Sequence, residues 1–297
     1  MTGFSLLFVV IAQFLNAIVA ILDKHIIKSV TKPVVYAFYV SVLSGIAIIM
    51  VPFGIVSIPD PIIIYLSLLA AVCYLASILF LYDSLKISLP SEVIPVVGAV
   101  AAVSTFGFSY WILGVSLPDD FLLAFTLLIL GMLFITHFAF TKKSFVYVVL
   151  AGVFFGASTV IIKKIFTLDD SFANGFFWSR MANVVVAMVL LLWPNNLRAI
   201  KKDMHHSPAK GKFVILNNKL LAGLAFLCIL FAIKLGDVST VNALSSLQYV
   251  FLLIFSLIFI KKIPGHFSKM KYRDELIHKV FSTILIILGF IVLFTKY

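Results

Sequence analysis

Apolar stretches of helix length follow one another along almost the whole chain, separated by short polar or proline-containing links. Because about 20 apolar residues in a helix cross the ~30 Å hydrocarbon core of a bilayer, the pattern predicts a polytopic, all-α membrane protein. We predict ten transmembrane helices, at residues 4–22, 34–56, 62–82, 92–113, 121–139, 144–165, 172–193, 214–234, 238–260 and 277–295. The links 194–213 and 261–276 are longer, polar and basic.

An internal repeat divides these helices into two sets of five. The segment LLILGMLFI at 127–135 parallels LIILGFIVL at 285–293, which aligns Gly131 with Gly289. Such matched segments near the two ends predict that the chain contains two copies of one helical unit.

A second pair of landmarks has the same order, since Lys86 and Lys234 each follow the third apolar stretch of their half. We therefore predict two five-helix repeats, at residues 1–140 and 141–297. Because five is an odd number, the second repeat must be inverted in the membrane relative to the first.

Composition and charge agree with a membrane location. Hydrophobic residues make up 63% of the chain and charged residues only 12%, which excludes an ordinary soluble domain. Of the 23 lysines and arginines, eighteen lie in or beside the odd-numbered links, four lie on the opposite side and Arg180 lies within a span. The positive-inside rule assigns the basic links to the cytoplasm and both termini to the outside. Orientation thus accounts for the net charge of +11, and no nucleic-acid partner is predicted.

Arg180 is the foremost candidate for a substrate site, because ionisable side chains within spans are rare and are usually functional. Phe176, Arg180 and Asn183 recur at helical spacing and so share one face of span 7. A guanidinium on this face could attract a carboxylate or phosphate. The structural alternative is an arginine that pairs with a neighbouring helix or reaches the interface.

Spans 1 and 9 carry further polar candidates inside apolar sequence. Asn16 lies deep in span 1, and span 9 carries Asn242, Ser246 and Tyr249 on one face with Gln248 beside them. These side chains are predicted to line a cavity. The alternative is that they form hydrogen bonds between helices, which amides and hydroxyls commonly do in membranes.

Spans 4, 6 and 7 add three candidates. Pro95, with Gly98, could free backbone carbonyls in span 4, and such interrupted helices often mark transporter sites, although a plain kink is the alternative. Thr159 is the candidate in span 6, and Trp178, in span 7, could form part of the wall of an apolar cavity.

Other motifs favour packing over chemistry. Gly152 and Gly156 form a small-xxx-small pattern, which predicts close helix packing. Cys73 and Cys228 lie in apolar runs and are interpreted as buried thiols. No catalytic residue, metal site or cofactor is predicted.

Taken with their order and spacing, several segments resemble the EamA-type transporters of the drug/metabolite transporter superfamily: LNAIVAILDKHII (15–27), SLKISLPSEVIPVVGAV (84–100), TVIIKKIF (159–166), FANGFFWSRM (172–181) and IKLGDVSTVNALSSLQYVF (233–251). The resemblance covers essentially the whole chain. It implies a basket of ten helices around a central substrate cavity, with alternating access. Well-known relatives usually keep both termini in the cytoplasm, whereas the charge distribution here indicates the reverse.

We therefore expect a secondary transporter, not an enzyme, that moves small organic metabolites, amino-acid-like or drug-like, across the plasma membrane. Its expected partners are a small-molecule substrate and the lipid bilayer, and a homodimer is left open. Two other classes are retained as alternatives, an intramembrane enzyme acting on lipid-linked substrates and a non-transporting membrane scaffold. Clustered carboxylates in a lipid-facing cleft would favour the enzyme.

Overall fold

The computed structural model describes residues 3–27, 33–88, 90–114, 119–134, 141–206, 209–258, 281–289 and 291–292. This part of the chain is helical and contains no strand, which confirms the predicted all-α class there. The α-helices are, in order, α1 (Gly3–Ile27), α2 (Pro33–Leu43), α3 (Pro61–Leu85), α4 (Pro90–Phe108), α5 (Asp119–Phe134), α6 (Lys142–Leu168), α7 (Phe172–Val189), α8 (Pro194–His206), α9 (Ala209–Leu235), α10 (Val238–Ala243) and α11 (Leu247–Ile258). Residues 281–289 are helical as well.

Six helices in the described residues are long and apolar enough to cross a bilayer: Phe4–Leu22, Pro61–Leu85, Val93–Leu113, Lys142–Leu168, Phe172–Leu192 and Asn217–Leu235. Shorter apolar helices at Ala37–Phe53 and Leu122–Phe134 belong to predicted spans 2 and 5. The protein is thus an all-helical chain with the span lengths of a membrane protein. The link 261–276 and parts of predicted spans 5, 9 and 10 lie outside the described residues.

The distribution of side chains is that of a bundle surrounded by lipid. Large apolar residues point outward, and Trp111 and Leu192 are 81% and 75% exposed. Small residues such as Ala12, Ala102 and Ser239 are fully buried. Helices in membranes associate by close packing of small residues, because large apolar side chains are equally stable against lipid.

The extensive antiparallel pairing of α3 with α6 organises one side of the bundle. Ser77 Oγ donates to the carbonyl oxygen of Ala151 at 2.8 Å, and Ser158 Oγ donates to that of Ala70 at 2.9 Å. Because one hydroxyl comes from each helix, the two bonds fix the register of the pair from both sides.

The pairing of α1 with α9 is the other extensive contact. Ser5 Oγ donates to the carbonyl oxygen of Ala232 at 3.0 Å, and the rings of Phe8 and Phe231 meet edge-on at 4.8 Å. The start of α1 therefore lies beside the end of α9. We call this end of the bundle the N-terminal face.

Glycines allow α6 to approach α4 closely. A Cβ added at Gly152 would lie 2.7 Å from Val100 Cβ and 2.9 Å from the Val97 carbonyl oxygen, and one at Gly156 would lie 2.9 Å from Thr105 N. These distances are too short for any side chain, which confirms the packing role predicted for the small-xxx-small pattern.

Gly131 and Gly289 make a reciprocal contact between α5 and the helical residues 281–289. A Cβ at Gly131 would lie 3.0 Å from the carbonyl oxygen of Ser282, and one at Gly289 would lie 3.1 Å from that of Ala124. Ser282 lies seven positions before Gly289, and Ala124 lies seven positions before Gly131. The two segments therefore use equivalent positions to touch each other.

The polar link after α7 contains a helix that the hydropathy pattern did not predict. Helix α8 begins with Pro194, a residue suited to the first turn, and buries Ile200 while Lys201 and Lys202 remain exposed. A short helix with one apolar and one charged face is typical of a segment lying at a membrane surface. It was missed because it is too short and too charged to resemble a span.

Pro95 does not interrupt span 4, whose helix changes only at its end, to a π-helix at Ser109–Leu113. Helix α4 runs without a break through Pro95 from Pro90 to Phe108. In span 9, α10 and α11 are separated by a 3₁₀ turn at Leu244–Ser246. A single proline removes one backbone hydrogen bond, which a membrane helix packed among neighbours can tolerate.

The substitution Gly152→Ala is expected to destabilise the protein, because the added methyl group meets Val100 and the backbone of Val97. Overpacking of this kind costs about 1–3 kcal/mol. Gly107→Ala, in α4, is the matched control, since a Cβ there meets nothing within 4 Å. Thermal unfolding of the purified protein in detergent measures both, and equal midpoints for the two variants would contradict the close α4–α6 contact.

Candidate functional site

Asn242 is the centre of a buried polar group where α4, α6 and α10 meet. Its Nδ2 donates to Thr105 Oγ1 at 2.7 Å and to Thr159 Oγ1 at 2.8 Å. Asn242 is 6% exposed, and both threonines are buried still more deeply. The predicted residues Asn242 and Thr159 are thus brought together, and both amide protons have partners.

The polar elbow before α10 positions this asparagine. Asp237 caps α10, with its Oδ2 accepting from Thr240 N at 2.7 Å and from Thr240 Oγ1 at 2.9 Å. An N-cap carboxylate satisfies backbone donors that have no partner within the helix. Because the cap sets where α10 begins, it determines that Asn242 lies one turn inside the bundle.

Arg180 occupies a second buried position, among aromatic rings from three helices. Its guanidinium carbon lies 4.7 Å from the ring centre of Phe226 in α9, 5.8 Å from that of Phe176 and 5.9 Å from that of Tyr74 in α3. Arg180 is only 6% exposed, and its Nε has no hydrogen-bond partner in the described residues. Asn183, on the same helix face, is 3% exposed, and its Nδ2 has no partner in that part of the chain either.

Asn16 and Gln248 meet between α1 and α11. Asn16 Nδ2 donates to Gln13 Oε1 at 3.3 Å, and Gln248 Nε2 donates to the carbonyl oxygen of Asn16 at 3.4 Å. Asn16 and Gln248 are partly buried, whereas Gln13 is 1% exposed. This pair links the first span to the interrupted ninth span.

Tyr249 and Pro95 lie on facing helices, α11 and α4. A Cβ added at Gly98 would lie 3.4 Å from the Tyr249 hydroxyl oxygen, and Pro95 is buried one turn earlier on α4. Ser246 is fully buried, and its hydroxyl donates to the carbonyl oxygen of Ala243, at the end of α10, at 3.0 Å. This bond of Ser246 therefore stays within span 9.

Trp178 lies near the N-terminal face, apart from these groups. Its indole nitrogen donates to the carbonyl oxygen of Ser57 at 3.0 Å, and its ring meets Phe177 edge-on at 5.3 Å. Asn174 Oδ1 accepts from Ser57 N at 3.1 Å. The contacts of Trp178 therefore join α7 to the link before α3.

Two lysines connect the ends of α6 and α9 reciprocally. Lys163 Nζ, in α6, donates to three carbonyl oxygens at the end of α9, at 2.6, 2.7 and 3.3 Å. Lys234 Nζ, in α9, donates to the carbonyl oxygens of Phe166 and Asp169 at the end of α6, at 2.7 and 2.9 Å. The last carbonyls of a helix have no partner within the helix and carry negative partial charge, so ammonium groups stabilise them. We call this pair the lysine clasp.

An aromatic cluster lies directly beneath the clasp. Phe172 is its centre, with ring centres 5.0 Å from Phe231, 5.3 Å from Phe166 and 5.8 Å from Phe176. The fifth member, Phe8, packs on Phe231. Because these rings come from α1, α6, α7 and α9, the cluster seals the bundle just below the N-terminal face.

Six of the ten predicted site residues therefore form three polar groups, around Asn242, Arg180 and Asn16, and the contacts described above do not join these groups into one set. Thr105, Phe226 and Lys163 were not among the predicted residues. Threonine and phenylalanine are common in apolar helices, so their presence in the sequence does not indicate a site. Lys163 lies inside an apolar stretch, and the rarity of charge there could have marked it as a candidate.

These features define a helical membrane protein in which the interior of the described part holds polar groups and one charged side chain. No protein-family model matches the chain, and no curated protein matches its sequence. A solved structure described only as "Crystal structure of protein" is similar over 97% of this chain and 95% of that chain, with a TM-score of 0.67 and 15% identity. At this identity the likeness concerns the fold alone, and it extends over nearly the whole length of both chains.

The substitution Asn242→Leu is expected to lower stability, because it removes the two hydrogen bonds to Thr105 and Thr159. At about 0.6 kcal/mol for each bond between membrane helices, the loss should be about 1 kcal/mol. Ser246→Ala is the control, since the Ser246 hydroxyl bonds, among the described residues, to a carbonyl of its own span. Thermal unfolding of both variants, with and without Thr105→Val, gives the coupling energy between Asn242 and Thr105. Additive effects would show that the bond contributes nothing.

Proposed function

We propose that this protein is a secondary transporter that moves small organic metabolites across the plasma membrane by alternating access. The observation that carries the proposal is Arg180, a charged side chain held in the interior of an apolar bundle without a hydrogen-bonding partner in the described part of the chain. Ionisable residues in this position are costly, and they typically mark the pathway of a substrate or ion.

The proposal assigns the chain to the EamA-type transporters, with ten spans arranged as two inverted repeats. The reciprocal contact of Gly131 and Gly289 supports this arrangement, since equivalent positions of two repeats meet at an axis that relates them. The helix pairings support it too. In ten-span order, α3 and α6 are spans 3 and 6, and α1 and α9 are spans 1 and 8. A shift of five spans exchanges one pairing for the other.

Alternating access requires that one end of the bundle be closed while the other opens. The N-terminal face carries three closing contacts: the lysine clasp, the aromatic cluster and the approach of Gly236 to Ser5, where an added Cβ would lie 2.5 Å from Ser5 Oγ. We therefore interpret this conformer as closed at the N-terminal face. Substrate would enter or leave there only after the clasp separates.

The charge distribution assigns the N-terminal face to the outside of the cell. Helix α8, with exposed Lys201 and Lys202, then lies at the cytoplasmic surface, where amphipathic basic helices bind anionic lipid headgroups. The clasp is accordingly an outer gate in this proposal.

Alternating access can be tested without knowing the substrate, by the accessibility of a cysteine at Asn16. In a background with Cys73→Ala and Cys228→Ala, Asn16→Cys is expected to react with a membrane-impermeant thiol reagent from either side of oriented vesicles. A transporter exposes its central residues to each side in turn, whereas a scaffold exposes them to neither or to one. Ile11→Cys is the control on α1, since Ile11 is exposed on the outside of the bundle.

A disulfide across the N-terminal face sharpens this test. The Cβ of Ser5 lies 3.3 Å from a Cβ built on Gly236, close to the ~3.5–4.5 Å that disulfides need. Oxidised Ser5→Cys with Gly236→Cys should abolish the reaction of Asn16→Cys from outside and leave the inner reaction intact. Reactivity from one side only, before and after oxidation, would contradict alternating access.

The clasp itself is tested by Lys163→Met, with Lys164→Met as the matched control. The Lys163 ammonium holds three carbonyls, whereas that of Lys164 donates no hydrogen bond among the described residues. Because hydrogen bonds to charged groups contribute about 1.5–3 kcal/mol, losing them should raise the outside reaction rate of Asn16→Cys about tenfold or more. The inside rate should fall at the same time. A rise on both sides would indicate general loosening and not a gate.

A further inference from the structure

The buried Nε of Arg180 has no acceptor among the described residues, although rings surround the guanidinium. Within the described residues no carboxylate pairs with it and no carbonyl accepts from it. A buried charge that is neither paired nor hydrogen-bonded is strongly destabilising in an apolar interior. The position therefore requires an explanation beyond packing.

The three rings compensate the charge only in part. Cation–π attraction acts through the faces of aromatic rings and favours the cation, but it supplies no acceptor for the N–H groups. A guanidinium presents its five N–H donors in its own plane, in a fork that matches the two oxygens of a carboxylate. Phe226, with its ring centre 4.7 Å away, is the nearest of the three rings.

Asn183 supplies a second unused donor on the same face of α7. Its Nδ2 is buried and has no partner among the described residues, and Asn183 lies three positions after Arg180, the spacing of neighbours on a helix surface. Two adjacent donors, one of them charged, form a site that is complementary to an anion.

Charge and apolarity narrow the class of anion. The partly buried cations Lys163 and Lys234 are engaged with backbone carbonyls in the clasp, so Arg180 supplies a single positive charge. One positive charge balances a monoanion, whereas it leaves one of the two negative charges of a phosphate dianion uncompensated. The surrounding Tyr74, Phe176 and Phe226 offer apolar surface to the rest of the ligand.

We propose that Arg180 and Asn183 bind the carboxylate of a monocarboxylic acid with an aryl or other apolar body and without an ammonium group. An ammonium next to the carboxylate would lie close to the guanidinium, and like charges repel strongly in an apolar interior. The proposal names the substrate class of the transport site and, for transport, rests on the proposed function.

Isothermal titration of the purified full-length protein in nanodiscs tests the proposal with four compounds of related skeleton. The probes are 3-phenylpropanoate, the neutral 3-phenylpropanamide, phenylalanine and phenyl phosphate. We expect 3-phenylpropanoate to bind about tenfold or more tighter than each of the others, because only it matches the site in charge and apolarity.

Variants then assign the preference to residues. Arg180→Gln should bring the affinities of the carboxylate and the amide to within a factor of about two, since both then meet a neutral site. Asn183→Leu should weaken carboxylate binding several-fold. Arg198→Gln, an exposed arginine on α8, is the control and should leave all affinities unchanged.

The wild-type comparison decides the proposal even if Arg180→Gln does not fold. Phenylalanine or the amide binding as tightly as 3-phenylpropanoate would overturn it, as would a carboxylate preference that survives in a folded Arg180→Gln protein. Flux of the same probes in proteoliposomes separates the two proposals. Carboxylate binding without flux would overturn transport alone, and flux of other solutes without carboxylate preference would overturn the substrate class alone.

Discussion

The interior of a bilayer offers no water, so each polar group in a span must find its partner within the protein. The chain meets this constraint with hydroxyls that bond to backbone carbonyls of neighbouring helices, as Ser77 and Ser158 do, and with an amide that bonds to two hydroxyls, as Asn242 does. Arg180 and Asn183 hold the two buried side-chain nitrogens that have no partner in the described part of the chain, where four buried serine hydroxyls lack one as well. Of these groups Arg180 carries a charge, so its lack of a partner is the most costly, and under the proposed function the two nitrogens bind a group outside the chain.

The closing contacts and the candidate site share a residue. Phe176 stacks on Phe172 in the aromatic cluster, and its ring also lies 5.8 Å from the guanidinium carbon of Arg180. Separation of α6 from α9 would disturb the rings around Phe172, because Phe166 and Phe231 come from these two helices. A movement that opens the N-terminal face must therefore reach the surroundings of the charge. Under the proposed mechanism, a ligand that neutralises the charge and a gate that moves these rings are coupled through direct contact, without a longer pathway.

The sequence predicted those features that lipid imposes directly. Long apolar stretches predicted the helices, and the spacing of Gly152 and Gly156 predicted close packing, because both are local consequences of the membrane environment. The face shared by Arg180 and Asn183 also follows from helical spacing. The rings around that face come from other helices and have no local signature. The partners of Lys163 are backbone carbonyls about 70 residues away, which any sequence would supply, so only the packing of α6 on α9 reveals the clasp.

The two ends of the bundle differ in the hydrogen bonding of two lysines that the proposed repeat relates to each other. Under the proposed repeat Lys86 is the counterpart of Lys234, and it lies at the end of α3 as Lys234 lies at the end of α9. Lys234 is half-buried and bonded to two carbonyls, whereas Lys86 is exposed and its ammonium donates no hydrogen bond among the described residues. Under the proposed inverted repeat these lysines lie at opposite ends of the bundle. If both ends of the bundle were in the same state, either both lysines or neither would bond to carbonyls at a helix end. The bonding of Lys234 at one end alone fits a conformer that is closed on that side. Under the proposal, Lys86 could form equivalent hydrogen bonds at the other end when the clasp separates.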